Sequence, residues 1–235
     1  MKKRKTICLL GIGIIAMSAI YLSGFNYKKA DAPKNLDFTL AANMEVDGTK
    51  ISIAEGKADK YSTVEELESH SEFIVKGKKT SEKEVLTTTD IGTIKDIYTE
   101  SNFEITKVFK GDLNKKSNIK VVEPVGTYKG TISSFEGYKA MQKGREYILF
   151  LFKDPQNDRY GIVAINQGKH STDGTVEIYS EGKEEPEYKR IEKFTKAINE
   201  KYSKPSLNDS PNVTGNVYST QNPKGTNNVT GNVYK

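Results

Sequence analysis

The alternation of apolar and polar residues between 72 and 179 constrains this chain most, because a period of two residues is the pattern of half-buried β-strands. It is clearest over 97–106, where Ile97, Phe103 and Ile105 share one face. The stretch 146–152 is apolar on both faces, which predicts a central strand. Further strands are predicted over 72–78, 119–125, 160–165 and 175–179. The chain is therefore expected to be mainly β.

Local signals add a hairpin and two helices to these strands. Residues 44–53 alternate around Asp47-Gly48, a pair typical of tight hairpin turns. Ser62-Thr-Val-Glu65 has the form of a capping box and predicts a short helix that ends near His70. Apolar residues then recur at helical spacing over 186–202, and Pro186 suits the first turn.

The N-terminal segment 1–25 predicts export from the cytoplasm. It begins Met-Lys-Lys-Arg-Lys and continues without a charge from Thr6 to Phe25, about the length that spans a bilayer. Ala16-Met-Ser18 and Ala30-Asp-Ala32 are poor cleavage sites. We therefore expect an uncleaved membrane helix through residues 6–25, with the following domain on the extracellular side of the cell membrane. A cleaved signal peptide and a secreted protein are the alternative.

Charge and cysteine content narrow the classes of function. The chain has a formal net charge of +5, but residues 1–30 hold six basic and no acidic side chains, so the remainder is close to neutral. Phosphate binding needs a concentrated basic face. Because the remainder of the chain is close to neutral, no nucleic-acid partner is expected. The single cysteine, Cys8, excludes a disulfide framework and a cysteine zinc site.

Composition divides the chain into four regions. Residues 1–25 are the signal peptide or anchor, and 26–55 are a linker that carries the predicted hairpin. Residues 56–203 form the folded domain with its C-terminal helix. Residues 204–235 are rich in Asn, Gly, Ser and Thr, and the sequence Asn-Val-Thr-Gly-Asn-Val-Tyr occurs twice, 16 residues apart. This composition predicts a disordered tail.

A family resemblance follows from three stretches of the folded domain: Ser-Glu-Phe-Ile-Val-Lys-Gly-Lys at 71–78, Phe-Glu-Ile-Thr-Lys-Val-Phe-Lys-Gly at 103–111 and Lys-Gly-Arg-Glu-Tyr-Ile-Leu-Phe-Leu at 143–151. Their order resembles the netrin-like module of the tissue inhibitors of metalloproteinases. It is equally similar to domains of uncharacterised exported proteins of Bacillus-type bacteria. The resemblance implies a five-stranded OB-like barrel with flanking helices. That family's N-terminal cysteine clamp has no counterpart here.

Candidate catalytic residues are few. His170-Ser-Thr-Asp173 holds the residue types of a hydrolytic triad, but side chains so close in sequence rarely converge, and a polar hairpin loop is expected there. His70 is expected to lie at the C-terminal end of its helix, where a positive charge interacts favourably with the helix dipole. The acidic run at 181–187 is expected to be a solvated helix start. No catalytic residue, metal ligand or cofactor is predicted, and the protein is expected not to be an enzyme.

The connection Gly126 to Tyr138 is predicted to be a long loop between strands, and such loops bind ligands in OB-like barrels. Tyr128, Phe135 and Tyr138 supply aromatic surface and are the predicted ligand-binding residues. The function expected from the sequence is a membrane-tethered, non-enzymatic domain that binds a protein or cell-envelope ligand such as a glycan. A protease inhibitor or modulator is the first alternative, and an enzyme of unknown class is the second.

Overall fold

The computed structural model of the protein describes residues 39–56, 58–92 and 94–202. In chain order its elements are β1 (Thr39–Val46), β2 (Thr49–Glu55), α1 (Val64–Ser69), β3 (Phe73–Thr88), β4 (Ile94–Lys110), β5 (Asn118–Glu123), β6 (Val125–Tyr128), β7 (Thr131–Phe135), β8 (Glu146–Lys153), β9 (Tyr160–Ile162), β10 (Lys169–Ser171) and α2 (Pro186–Tyr202). The described residues are mainly β, as predicted, and they include two α-helices.

The two ends of the sequence lie outside the described residues. The predictions of a membrane segment at 1–25 and of a tail at 204–235 concern residues of which the structure says nothing. Within the described residues, no helix combines the length and apolar character needed to cross a membrane.

Five strands pair in a closed ring. The order is β8-β3-β4-β5-β9, and β9 returns to pair with β8. Every pair in the ring is antiparallel except β5 with β9, which is parallel. The short β10 pairs antiparallel with Tyr147–Leu149 of β8, next to β9 and on the edge opposite β3. The ring encloses one of the two apolar clusters of the fold.

A second sheet forms outside the ring, with the order β1-β2-β7-β6. The hairpin predicted around Asp47-Gly48 is confirmed, and its second strand pairs in parallel with β7. Residues 39–55 therefore belong to the fold, although the sequence places them in a linker. Pro124 separates β5 from β6 and cannot donate a backbone hydrogen bond, so it marks the point where the chain leaves one sheet for the other.

The strand β8 and the first part of β3, residues 73–79, are buried on both faces. Val75 and Leu149 point into the cluster inside the ring, while their neighbours Ile74 and Ile148 point into a second cluster that the helices cover. Phe194 and Ile198 of α2 and Leu67 of α1 complete that second cluster. The prediction of a central strand at 146–152 is confirmed, because helices close the face that water would otherwise reach.

Both predicted helices are present, with one shift of register. The N-cap of α1 is Thr63 rather than Ser62: Glu66 N donates to Thr63 Oγ1 at 3.1 Å, and Glu66 Oε2 accepts from Ser62 N at 2.8 Å. The N-cap thus lies one residue later than the sequence pattern suggests, and the carboxylate of Glu66 bonds the amide of the residue before the N-cap rather than that of the N-cap itself. The helix α2 begins at Pro186, as predicted.

Three strand or loop assignments were wrong. The predicted strand 160–165 ends at Ile162, because Ala164 and Ile165 adopt left-handed backbone angles and a short 3-10 helix follows. The predicted strand 175–179 makes only an isolated bridge, between Ile178 and Tyr138. The predicted loop 126–138 is largely the β6–β7 hairpin, which turns at Lys129-Gly130, where both φ angles are positive.

Candidate functional site

The β3–β4 hairpin is longer than the ring that it helps to form. The strand β8 pairs with β3 only over Phe73–Lys78, and β5 pairs with β4 only over Thr99–Glu104. Beyond these limits β3 and β4 continue to pair with each other as far as Thr88 and Ile94. Residues 80–92 and 94–98, which we call the distal hairpin, therefore project past the end of the ring.

The tip of the distal hairpin exposes apolar side chains. Leu86 is 46% exposed and Ile91 is 89% exposed. Among the described residues, the one other large apolar side chain with such exposure is Val46, which is 40% exposed at the β1–β2 turn. Exposed apolar residues that are scattered singly need no explanation, but two on one projecting tip are suited to contact with a partner.

A buried carboxylate lies at the root of the distal hairpin. Glu123 is 0% exposed, and Lys79, the last residue of β3 before the distal segment, is 1% exposed. Glu123 Oε1 lies 3.0 Å from Lys79 Nζ and also accepts from Ser101 Oγ of β4. Its other oxygen accepts from Tyr138 OH at 2.9 Å and from Met141 N at 2.6 Å. Both oxygens of the carboxylate are therefore satisfied.

A second buried ion pair lies beside the first. Lys169 Nζ donates to Lys139 O and lies 3.9 Å from Glu177 Oε2. Glu177 Oε1 accepts from Arg145 Nη1 at 2.5 Å and from Gln142 Nε2 at 3.0 Å. Burial lowers the pKa of Lys169 to about 8, and the negative charge of Glu177 opposes that shift. We call the residues Lys79, Ser101, Glu123, Tyr138, Lys169 and Glu177 the buried charge cluster.

The two ion pairs are connected through Tyr138. Its hydroxyl donates to Glu123, and its ring lies under the Lys169 ammonium, with 4.1 Å between Nζ and the ring centroid. Nearby, burial raises the pKa of the Tyr147 hydroxyl, which accepts from Gln142 N at 2.7 Å. The charges of the cluster thus contact one another and the backbone rather than solvent, which is the condition under which buried charges are tolerated.

Arg159 joins the distal hairpin to the loop between β8 and β9. Its Nη1 donates to Tyr98 OH at 2.9 Å, and its Nε lies 2.8 Å from Asp154 Oδ2. Asp154 in turn accepts from Gln156 N at 2.9 Å, which shapes the turn that the sequence predicts there. The distal hairpin is therefore supported from two sides, by the buried charge cluster and by the Arg159 contacts.

The three predicted ligand-binding residues lie in different environments. Phe135 is 5% exposed and Tyr138 is 0% exposed, so both belong to the core inside the ring. Tyr128 is half-buried at the end of β6, with Lys129 Nζ 5.1 Å from its ring centroid. The expectation of a shared aromatic surface is corrected, because packing uses two of the three rings. The ligand-binding role of Tyr128 stays a prediction.

Gly126 explains why the predicted loop packs instead of projecting. A Cβ atom at this position would lie 2.6 Å from Ile97 Cγ1. The absence of a side chain lets β6 lie directly against β4, and Thr99 Oγ1 donates to Val125 O at 2.7 Å across the same contact. The glycine that suggested a flexible loop in the sequence is a point of close packing.

The residues of the suggested triad form hydrogen bonds with other partners. The His170 Nδ1 atom lies 2.9 Å from Thr195 Oγ1 and Nε2 lies 2.6 Å from Gln167 O, so α2 and the 3-10 helix hold the ring. Ser171 Oγ donates to Thr175 O, and Asp173 Oδ2 lies 3.4 Å from Arg145 Nε. The expected polar loop is a short buried strand at His170, and the triad does not form.

The remaining polar candidates have local partners. Glu184 pairs with Lys189, and Glu187 pairs with Arg190, so the run at 181–187 is an exposed helix start, as predicted. His70 Nδ1 lies 2.8 Å from Glu66 O within the last turn of α1. In the part of the chain that the structure describes, no cluster of three His, Asp or Glu side chains is arranged to hold a metal ion.

The geometry defines a mainly β domain with two helices, a closed ring of strands and one hairpin that projects from it. Comparison of the chain with family models, curated proteins and solved structures gives no match. The distal hairpin and the buried charge cluster are therefore the observations from which its function is inferred.

Replacing Glu123 should destabilise the fold strongly. Glu123→Gln keeps the shape of the side chain but leaves the Lys79 ammonium without its buried counter-charge. We expect the free energy of unfolding to fall by about 3–5 kcal/mol, the usual cost of breaking a buried pair. Urea unfolding measures it. Asp158→Asn, which breaks an exposed pair with Lys153, is the matched control and should have little effect. Equal effects in the two variants would contradict the role given to Glu123.

His170 should make the fold sensitive to acid. Burial lowers its pKa from 6.5 to about 4, so between these values the unfolded chain binds a proton that the folded chain does not. Stability is therefore lost as the pH falls through this window, by about 3 kcal/mol in total. Urea unfolding at pH 7 and pH 4.5 should show a smaller loss for His170→Gln than for the wild type. An NMR titration of the His170 ring with a midpoint near 6.5 would overturn the assignment.

Proposed function

We propose that this protein is a non-enzymatic binding domain that holds a protein of the cell envelope through its distal hairpin. The observation that carries the proposal is the projection of this hairpin, with Leu86 and Ile91 exposed at its tip. A hairpin of this length costs conformational entropy to order, and Ile97, which is 1% exposed, is its single buried apolar side chain among the described residues. A projecting element with apolar side chains at its end is suited to insertion into a groove of a partner.

We further propose that the ring is an OB-like barrel of the netrin-like type. Support comes from the five paired strands, the return of β9 to β8 and the position of one helix at each end of the ring's sequence. In OB-like barrels the loops between strands 1 and 2 and between strands 4 and 5 border the ligand site. The corresponding loops here are the distal hairpin and residues 154–159, which the Arg159–Tyr98 contact joins. The barrel proposal and the binding proposal therefore favour the same end of the molecule.

The buried charge cluster supports a non-enzymatic assignment. A catalytic group must reach a substrate, but the side chains of Lys79 and Glu123 are 1% and 0% exposed, and that of Lys169 is 2% exposed. Each of these groups is also held by backbone or side-chain partners on several elements. Such residues fix the structure around a site more readily than they carry a reaction.

The location proposed for this domain is the outer face of the cell membrane, with residues 6–25 as its anchor. The support is the uncharged segment that follows the basic N-terminus. We expect N-terminal sequencing of the membrane fraction to find residues 1–25 still attached. A mature protein that starts between Ala19 and Pro33 would instead establish a cleaved signal and a secreted domain.

Removing the apolar tip should abolish binding and spare the fold. We expect Leu86→Ser with Ile91→Ser to lose at least about 90% of envelope-protein capture, measured by photo-crosslinking from a probe at Asp90 in intact cells. The urea midpoint should change little, because both side chains are exposed.

Val46→Ser is the matched control, since Val46 is the other large apolar side chain that is exposed among the described residues and it lies on a different hairpin. Its crosslinking should equal that of the wild type. If the double variant keeps its crosslinked partner, or if Val46→Ser loses it to the same degree, the distal hairpin is not the binding element.

A further inference from the structure

The outer edge of β3 in the distal hairpin has no strand beside it among the described residues. The neighbouring strand β8 pairs only as far as Lys78, and Gly144 N donates to Lys79 O at 2.8 Å. From Ser81 to Thr88 the described pairing of β3 is with β4 alone. An edge strand directs the N–H and C=O groups of alternate residues outward, which is a template for one more strand.

The side chains along this edge carry opposite charges on opposite faces. Glu82 and Glu84 stand opposite Ser101 and Thr99 of β4, whereas Lys83 stands opposite Glu100. Because successive side chains of a strand alternate between faces, the two glutamates share one face and the lysine lies on the other. Glu82 also contacts Lys79 of its own strand, which leaves Glu84 the main acidic contact for an added strand.

This pattern disfavours a second copy of the chain as the added strand. Two copies that pair edge to edge antiparallel are related by a twofold axis perpendicular to the sheet, and each face then meets the same face of its partner. Directly opposed residues must share a face, so neither glutamate can stand opposite Lys83 of the other copy. Pairing centred on Lys83 would instead bring Glu82 opposite Glu84, and like charges in that position are destabilising.

A strand with the inverse pattern fits the same edge. We propose that β3 binds an extended segment of the envelope protein by antiparallel strand addition, with basic side chains opposite Glu82 and Glu84 and an acidic one opposite Lys83. In this register Val85 and Leu86 stand opposite two apolar residues of the added segment, which lie one and two positions before its first basic residue. This inference rests on the proposed binding function and adds the class of ligand: an extended peptide with alternating charge and an apolar start.

A synthetic peptide tests the inference. The acetylated and amidated sequence Thr-Val-Ile-Lys-Glu-Lys-Thr places complementary residues opposite Ser81–Thr87, and its control Thr-Val-Ile-Glu-Lys-Glu-Thr exchanges the charges. With a fluorescent label on each peptide and the full-length chain in mild detergent, anisotropy measures the two dissociation constants. We expect the first peptide to bind at least about tenfold more tightly, because its charges are opposite to those of Lys83 and Glu84, with a smaller contribution at Glu82, which Lys79 also contacts.

Charge reversal in the protein should invert this preference. The triple variant Glu82→Lys, Lys83→Glu, Glu84→Lys should prefer the control peptide by a similar factor, with its fold checked by circular dichroism and urea unfolding. If the triple variant does not fold, Glu84→Lys alone should still narrow the preference. An unchanged preference in the variant that folds would overturn the inference.

Backbone pairing has a separate readout. N-methyl groups on alternate amides of the peptide block the hydrogen bonds of one edge only. We expect one of the two alternate methylated versions to lose binding and the other to keep it. Loss in both versions, or in neither, would mean that the peptide binds by its side chains and not as a strand.

The peptide result is independent of the cellular crosslinking result. If the peptide binds as expected and the tip variants keep their envelope partner, strand addition stands and the assignment of the tip falls. If the tip variants lose their partner and neither peptide binds, the binding function stands and strand addition is overturned.

Discussion

Glu123 accepts hydrogen bonds from four groups in three separate parts of the chain: β3, β4 and the connection that holds Tyr138 and Met141. A fully buried carboxylate has a large desolvation cost, so it is stable only while each of these partners is in place. The arrangement of strands at this end of the ring therefore depends on one side chain. The distal hairpin begins directly after Lys79, the counter-charge of Glu123, so this contact fixes the base of the hairpin.

The sheet that contains β3 and β8 divides the apolar core into two clusters, one on each of its faces. The strands β3 and β8 place alternate side chains into the ring and under the helices, so both apolar clusters share the same two strands. His170 belongs to the helical side, where Thr195 of α2 and the carbonyl of Gln167 hold its ring. Its burial in the neutral form couples the packing of α2 to pH. The charge cluster and the histidine thus stabilise opposite faces of β8 and β10.

The binding proposals concern the tip and the outer edge of the distal hairpin, whereas Ile97 near its base packs against β6. A projecting hairpin with an apolar tip and an open edge is at risk of pairing with other copies of itself. The alternation of Glu82, Lys83 and Glu84 reduces this risk, because a twofold pairing never brings opposite charges together. The same residues leave the edge open to a strand of inverse charge. Protection against self-association and selection of a partner then come from one short sequence.

Local sequence determined the elements whose signal lies within a few residues. Period-two alternation predicted β4 and β8, helical spacing predicted α2, and Asp47-Gly48 predicted the first hairpin, because these patterns follow from backbone geometry alone. The length of the distal hairpin and the pairing of β2 with β7 were missed, since both depend on where other strands end or arrive. Only the tertiary structure shows that Lys79, Glu123 and Lys169 are buried. Charged residues are ordinarily exposed, and nothing in the neighbouring sequence marks these three as exceptions. Lys79 and Glu123, for example, are 44 residues apart in the sequence, so only the assembled fold brings them together and buries them.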